Sequence, residues 1–395
     1  MKILLFDSGE VDLYPLSMTR PIGDLRSGIL SARERWETLT GIEVLYGVRP
    51  MLRARFGFSS FPDEPVLCIN ARLEPNKIVF QEILNLAPGE AISYGDDLIA
   101  WHCERLGSLE EVYGFNGKYA RQLSEKMVWL KYPHELFNRC AQRIDFDFEL
   151  LCLNRKSAAL HDSNKLIGDP KKLFIEPGAS VLGAVINTNG GPVYIGKDAE
   201  VMEGSLIRGP LSLGMGACLK MGAKIYGATS IGRFSKVGGE VSNSVIQDFS
   251  NKAHDGFLGN SVLGSWCNLG ADTNTSNLKN NYSTVKLWNF REHRFEDSGL
   301  VFCGLIMGDH GKTSINTMFN TGTITGVHCN VFGEGFPPKY IPSFSWGGRD
   351  DSPAFDREKA AEVARRMYAR RNMEFTEEDY AILSALFLQT RQGVE

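Results

Sequence analysis

Long apolar runs are absent from this 395-residue chain, so no segment is expected to cross a membrane. An excess of charge of either sign is absent as well. The 43 lysines and arginines nearly balance 47 aspartates and glutamates, net −4, which leaves no basic footprint for nucleic acid or anionic lipid. The opening Met1–Asp7 is too short and too acidic for a secretion signal. Paired cysteines are missing too. Cys68, Cys103, Cys140, Cys152, Cys218, Cys267, Cys303 and Cys329 lie scattered, with no C-x-x-C and no metal-ligand spacing, as expected of reduced thiols in a cytoplasmic protein. These absences leave the profile of a soluble enzyme working on small molecules, with chain enough for two domains or more.

What the chain does have is a period of six. Ile195, Val201, Ile207, Leu213, Leu219, Ile225, Ile231 and Val237 recur every sixth residue, and small residues such as Ala199, Ser205, Ala217, Ala223 and Ser235 sit two places before the next rung. Six matches neither the 3.6 of a helix nor the 2 of a flat strand. It fits a chain that turns a corner every six residues and points one aliphatic side chain inward per short face, so that stacked coils bury a column no single repeat could bury. The fold expected is a hexapeptide-repeat, left-handed parallel β-helix.

Three regions separate by pattern. Residues 1–155 alternate short apolar runs with helical stretches: strands at Lys2–Phe6, Glu43–Tyr46 and Val66–Ile69, helices at Gly28–Leu39 and Asn76–Leu86, and a helix over Tyr132–Leu153. That alternation predicts an α/β layer with parallel strands. The β-helix region, 156–345, has early rungs at Ile175 and Val181, slips by two before Ile195, and slips again after Val237. The ladder then resumes at Phe257, Leu263 and Leu269. A polar stretch, Thr275–Ser298, is expected to loop outward. Rungs at Ile315, Thr321 and Val327 follow before Pro337-Pro338 stops the coil. Residues 346–395 read as a helical cap, with helices over Asp356–Arg371 and Thr376–Gln389 capped at Asp356 and Thr376 and covering the open end of the solenoid.

Slips in a rigid solenoid force bulges, where chemistry is readily placed. Between them lies Ala253-His254-Asp-Gly-Phe257-Leu-Gly259-Asn260, followed by Asn268-Leu-Gly270-Ala271-Asp272. This pair resembles the G-H-x-x-Y-L-G-D and N-I-G-A-G segments of the bifunctional N-acetylglucosamine-1-phosphate uridyltransferase/glucosamine-1-phosphate N-acetyltransferase family. The resemblance implies that His254 is the general base that deprotonates a sugar amine, a role imidazole suits near neutral pH. It implies that Asn268 holds the sugar, and that Gly270 and Ala271 contact acetyl-CoA through backbone. Glu240 and Lys224 fall at the family's carboxylate and basic substrate positions, and Asn277 fits a further polar contact. Phe257 replaces the family's tyrosine and Ser242 a basic residue, so two phosphate contacts are lost; Lys252, Lys279 and Lys286 are the candidates to replace them. His310 reads as a turn residue, and solvated corners or faces are the plainer reading of Asn268, Asn277, Glu240 and Lys224.

The first region resembles a divergent, reduced branch of sugar nucleotidyltransferases. The residues that carry this are Leu4–Asp7, Tyr14–Pro21, Leu25-Arg26, Glu34–Trp36, Ile69–Asn76 and Gly95–Ala100. Mainstream members open with a G-x-G-T-R-M loop whose backbone amides meet nucleotide phosphates, but Asp7-Ser8-Gly9 stands there instead. Arg20 and Arg26 are then the cations available for phosphate. Asn70 occupies the place of the family's Mg²⁺-binding aspartate, with Asp96 and Asp97 as further candidates, so Mg²⁺ is expected only if this domain is active. The leading expectation is an acetyl-CoA-dependent N-acetyltransferase, a homotrimer by resemblance, acting on an amino-sugar phosphate or nucleotide-linked amino sugar. The alternatives are a sugar-1-phosphate nucleotidyltransferase with the β-helix as oligomeric platform, or a non-catalytic relic of the family.

Overall fold

The computed structural model of the protein describes residues 1–74, 77–115, 120–122 and 128–391. Its amino-terminal part is a six-stranded sheet in the order Val44–Gly47, Lys2–Phe6, Val66–Asn70, Asp97–Cys103, Ala91–Tyr94, Arg121–Gln122. The first three strands are parallel, as expected, but Asp97–Cys103 runs antiparallel to both of its neighbours. The sheet is therefore mixed. The reason is local: Gly95, at φ 59, joins Ala91–Tyr94 to Asp97–Cys103 through a tight turn, and a tight turn permits only an antiparallel pair. Ser31 starts the first long helix, Ala32–Thr40, with a capping box to Glu34, so Gly28 precedes the helix rather than opening it. The expected 132–153 helix is two, Glu135–Asn138 and Cys140–Cys152. The helix expected from Asn76 runs Lys77–Leu84; Pro75 and Asn76 lie outside the described residues.

The rest of the core is a parallel β-solenoid of three faces. The first stacks nine strands, from Leu173–Ile175 through Val193–Ile195 and on to Tyr340–Ile341. The second stacks five, from Ser180–Val181 to Asn251–Lys252, and the third six, from Lys165–Ile167 to Phe257–Gly259. The period of six is this geometry: every rung from Ile195 to Val237 is at most 3% exposed. Each such burial contributes about 2 kcal/mol relative to exposure. The small residues expected at corners, Ala199, Ser205, Ala217, Ala223 and Ser235, are buried there.

Past Val237 the register differs from expectation. The corner after it holds only Gly238 and Gly239, two residues short of the period, and the turn after Val241 is one residue short, so the inward positions become Val241, Ile246, Lys252, Leu258 and Leu263. Phe257 faces outward, beside Glu240. Later rungs are Met307, Thr313, Phe319, Thr325 and Val331. Ile315, expected inside, is 67% exposed, while Thr321 and Val327 are buried outside the inward column. Threonine has the shape of valine but not its hydropathy, which hid these rungs. Pro337-Pro338 does not end the coil, because Tyr340–Ile341 still pairs with Ile324–Thr325.

One corner of the solenoid carries a ladder of rings: Phe234, Phe249, Trp266, His310, His328 and Phe344, all with φ between 54° and 64°. A left-handed backbone at such residues costs on the order of 1 kcal/mol each, which ring stacking offsets. Successive rings lie 5.4, 4.4, 6.2, 4.4 and 5.1 Å apart and nearly parallel. His310 is thus a buried turn residue, and burial pushes its imidazole well below the ordinary range. The two terminal helices, Arg357–Ala369 and Glu377–Arg391, are capped at Asp356 and Thr376 as expected. They cover the flank of the ladder, with Tyr368 stacked 4.2 Å from Trp266 and Phe387 against Phe344.

The amino-terminal domain lies on the first face. Val245, Val262, Ile306 and Ile324 point outward from the solenoid yet are buried in one cluster with Leu25, Trp36 and Ile144. The polar insertion does not loop into solvent. It forms the hairpin Lys286–Asn289/Arg294–Asp297, which returns to the amino-terminal domain through Arg291 on Asp12 (3.0 Å) and Phe290 on Tyr14 (5.7 Å between rings). Among the described residues, no helix is long and apolar enough to cross a membrane.

Candidate functional site

Two regions hold the residues singled out by sequence. In the amino-terminal domain, Arg20 is ion-paired with Asp309, whose second oxygen takes the Ser265 amide at 2.8 Å. Thr19 Oγ1 donates to the same Asp309 at 2.6 Å. Arg26 meets Asp248 at 3.3 Å and Glu34 at 2.8 Å, and its backbone exchanges two hydrogen bonds with the Gln247 amide, at 3.0 and 2.8 Å. Arg233 joins the same Glu34. Both arginines are therefore held by the solenoid's first corner, in buried surroundings where a charge persists only when paired.

Asn70 is equally committed. Its Nδ2 donates to Ser8 Oγ at 2.7 Å and to Leu98 O at 3.0 Å, and its Oδ1 accepts from the Arg72 amide at 3.2 Å. Asp96 and Asp97 lie at the exposed tip of a hairpin. Among the described residues there is no cluster of three or more His, Cys, Asp or Glu that could hold a metal ion. Asn70, an amide with its oxygen already bonded, does not fit a Mg²⁺ site, which calls for hard carboxylate oxygens free to coordinate; of these candidates only the exposed Asp96 and Asp97 offer them. Asp7, at the end of the first strand, is buried and pushed up to about 8 by that burial, while its Oδ1 accepts the Ile22 amide at 2.9 Å.

The second region is the edge between the second and third faces. Lys224, Glu240 and Phe257 stand side by side in register on three consecutive coils of the third face. Lys224 Nζ lies 3.7 Å from Glu240. Tyr226, two places along the strand from Lys224, donates its hydroxyl to Glu240 at 2.5 Å, and that bond raises its phenol above the ordinary value. His254 occupies the corner Ala253–Gly256, which leads into Phe257; its side chain is exposed and bonds to no described residue. Asn274, on the next coil, accepts the Phe257 amide at 2.8 Å. Here His254, Glu240, Lys224 and Phe257 come together.

Asn268 sits one coil beyond Asn251 on the second face, exposed and linked to its neighbours by backbone alone. Gly270 and Ala271 form the corner that follows. A side chain at Gly270 would meet the Ser314 carbonyl at 2.4 Å, so glycine there permits coil stacking. The Ala271 amide takes part in no hydrogen bond among the described residues. Asn277 is not part of this edge. It comes in beyond the end of the third-face strand, donating to Asn260 at 2.9 Å, and its side-chain amide meets only the tip of the Phe257 ring, both lying over Gly259. Of the lysines considered as phosphate contacts, Lys252 is buried inside the solenoid, Lys279 reaches its own loop at Ser283 and Thr284, and Lys286 is exposed on the hairpin. Sequence reasoning missed Tyr226 and Asn274. The signal for both was their outward position on the strands next to Glu240 and Phe257.

Residues 3–156 match the sugar nucleotidyl transferase family. That span is the mixed-sheet domain. The bifunctional protein GlmU of Methanocaldococcus jannaschii is 36% identical over 90 residues, which is 23% of this chain and 21% of the relative. A bifunctional sugar-1-phosphate nucleotidylyltransferase/acetyltransferase of Sulfurisphaera tokodaii is 31% identical over 144 residues, 36% of this chain and 35% of the relative. The chain thus aligns with about a third or less of either relative's length. Among solved structures, the polySia-specific acetyltransferase NeuO covers 53% of this chain and 94% of its own at 9% identity and a TM-score of 0.28. An Arabidopsis UDP-N-acetylglucosamine acyltransferase covers 60% and 91% at 15% identity and 0.21.

Proposed function

We propose that the protein transfers an acetyl group from acetyl-CoA to the amine of an amino-sugar phosphate or nucleotide-linked amino sugar, with His254 as general base. The observation that carries this reading is the exposed, unbonded imidazole of His254 at the corner beside Glu240, Tyr226 and Lys224. An ammonium has no lone pair to attack a thioester, so the imidazole takes a proton from the nitrogen as the amine adds to the acetyl carbonyl; the C–S bond then breaks and CoA leaves as the thiol, protonated by the imidazolium. Glu240 and Lys224 orient the acceptor, Asn268 contacts the sugar from the adjoining coil, and the Ala271 amide meets the acetyl donor. Asn277 serves, in this reading, the far end of a longer acceptor.

Exposed Leu206, Met221, Ile315 and Met318 on or beside this face support a homotrimer in which neighbouring chains complete the site. Transfer by the amino-terminal domain is the second reading, favoured by the family match over 3–156. Arg20 and Arg26 would serve it only by leaving their ion pairs with the solenoid. Thiol release from acetyl-CoA against a panel of amino-sugar 1-phosphates and nucleotide-linked amino sugars tests the first reading. Turnover that His254→Ala abolishes supports it. No turnover by the folded oligomer, together with NTP-dependent pyrophosphate release from sugar 1-phosphates, would replace it with the second.

A further inference from the structure

Lys252 stands in the inward column of the second face, where Val201, Leu219 and Val237 precede it in register and Leu269 follows. It is 2% exposed, an ammonium where the coils directly before and after carry the aliphatic Val237 and Leu269. Such a charge is costly unless hydrogen-bonded. Its Nζ donates to the Gly238 carbonyl at 3.1 Å and to the His254 carbonyl.

The other coils show what is missing here. In a full corner at this edge the first residue's carbonyl is closed three residues on, by the amide of Ala223 to Lys220 at 3.1 Å and of Thr273 to Gly270 at 3.2 Å, or by the hydroxyl of Ser205 to Met202 at 2.8 Å and of Thr317 to Ser314 at 2.9 Å. The corner Gly238–Gly239 is too short for that bond. Gly239, at φ 68, packs against Asp255, and a side chain at Gly238 would meet the Ala253 carbonyl at 2.4 Å. Above it, the corner Ala253–Gly256 is full length but lacks the same bond among the described residues. Its other tie is the Asp272 amide on the Asp255 carbonyl, 3.0 Å. Two successive corners thus lose their usual closure, and one buried ammonium spans both.

We propose that Lys252 is a positioning residue: by clamping the carbonyls of Gly238 and His254 it fixes the corner from which His254 presents its imidazole to the acceptor. The inference rests on the reading of His254 as general base. Burial pulls the Lys252 ammonium down to about 8 while Asp255 and Asp272 oppose the shift, so the clamp is charged at neutral pH.

Lys252→Met tests it, because methionine fills the apolar column at like size while taking the donor away from both carbonyls. The expected result is a folded protein with a modestly lower Tm, amide hydrogen exchange at 254–256 faster by about 10-fold or more, and kcat for acetyl transfer lower by about 10- to 100-fold at unchanged KM. A folded Lys252→Met with wild-type exchange at this corner, or with wild-type kcat in an active enzyme, overturns the proposal. If exchange rises but the wild-type protein transfers no acetyl group, the clamp on the corner stands and the acetyltransferase reading falls. Should the variant fail to fold, ¹⁵N NMR of the wild-type lysine ammonium decides: slowly exchanging protons support the clamp, and exchange at the rate of a free lysine overturns it.

Discussion

In the amino-terminal domain Arg20 and Arg26 end in ion pairs with Asp309 and Asp248 of the solenoid, whereas at the solenoid edge His254 and Asn268 expose side chains that no described residue bonds. Each set was marked by resemblance to a family motif, yet the packing around them differs in kind. The first face of the solenoid is buried beneath the amino-terminal domain, and polar groups there must find protein partners because water is excluded. The second and third faces meet at an edge open to solvent, where polar groups need no partner and remain free for a ligand. A motif therefore says which chemistry a residue type permits, and the surface on which it folds decides whether that chemistry is accessible.

The largest effect that would sharpen this contrast is loss of the base. His254→Ala should lower kcat for acetyl transfer by about 10²- to 10⁴-fold, with Tm little moved because the side chain is exposed and bonds to no described residue; a large fall in Tm would instead make His254 structural. Arg20→Ala should do the opposite. It leaves Asp309 buried and unpaired, so denaturant unfolding should show a loss of roughly 3 kcal/mol with acetyl transfer per folded molecule unchanged. A substantial fall in pyrophosphate release at unchanged stability would break the comparison by returning Arg20 to a phosphate.

Asp7 makes the burial of the amino-terminal side titratable. Its folded value, about 8, lies above that of the unfolded chain, so the folded state holds a proton that the unfolded state releases. That contribution is intact below the ordinary carboxylate range and is lost as pH rises toward 8. Asp7→Asn keeps an acceptor for Ile22 and should gain on the wild type as pH rises from 4 to 8, by up to about 5 kcal/mol near pH 8. Equal pH slopes for the two proteins would count against the buried proton.

On the open edge the effects are smaller. Phe257→Tyr restores the hydroxyl that the family carries and should lower KM for a phosphorylated acceptor by roughly 5-fold, about 1 kcal/mol, without changing it for an unphosphorylated one. Glu240→Gln breaks a solvent-exposed pairing with Lys224 and should alter stability by less than about 0.5 kcal/mol, while raising KM for the amino sugar if Glu240 holds the acceptor.

Much of this architecture is written in one dimension. The hexad from Ile195 to Val237, the strands at Lys2–Phe6 and Val66–Asn70 and the caps at Asp356 and Thr376 follow from patterns that local geometry enforces. Where polar residues take over rungs, as Lys252, Thr313 and Thr325 do, the period vanishes from hydropathy although the coils continue. The covered face was also legible in hindsight: Val245-Ile246, Val262-Leu263 and Ile306-Met307 are adjacent apolar pairs, one residue pointing in and one out, as a strand buried on both sides requires.

The sequence by itself determined the solenoid, because one inward side chain per six residues allows no other periodic burial, and it determined that a histidine would stand at an irregular corner. Tertiary structure decided which faces were left to ligands. Docking of the amino-terminal domain on the first face took up Arg20 and Arg26, and the two shortened turns after Val237 and Val241 together brought Lys252 inward, where it holds the Gly238 and His254 carbonyls. Both depend on contacts between residues far apart in the chain, where a charge is held by its partner's position and not by its neighbours in sequence.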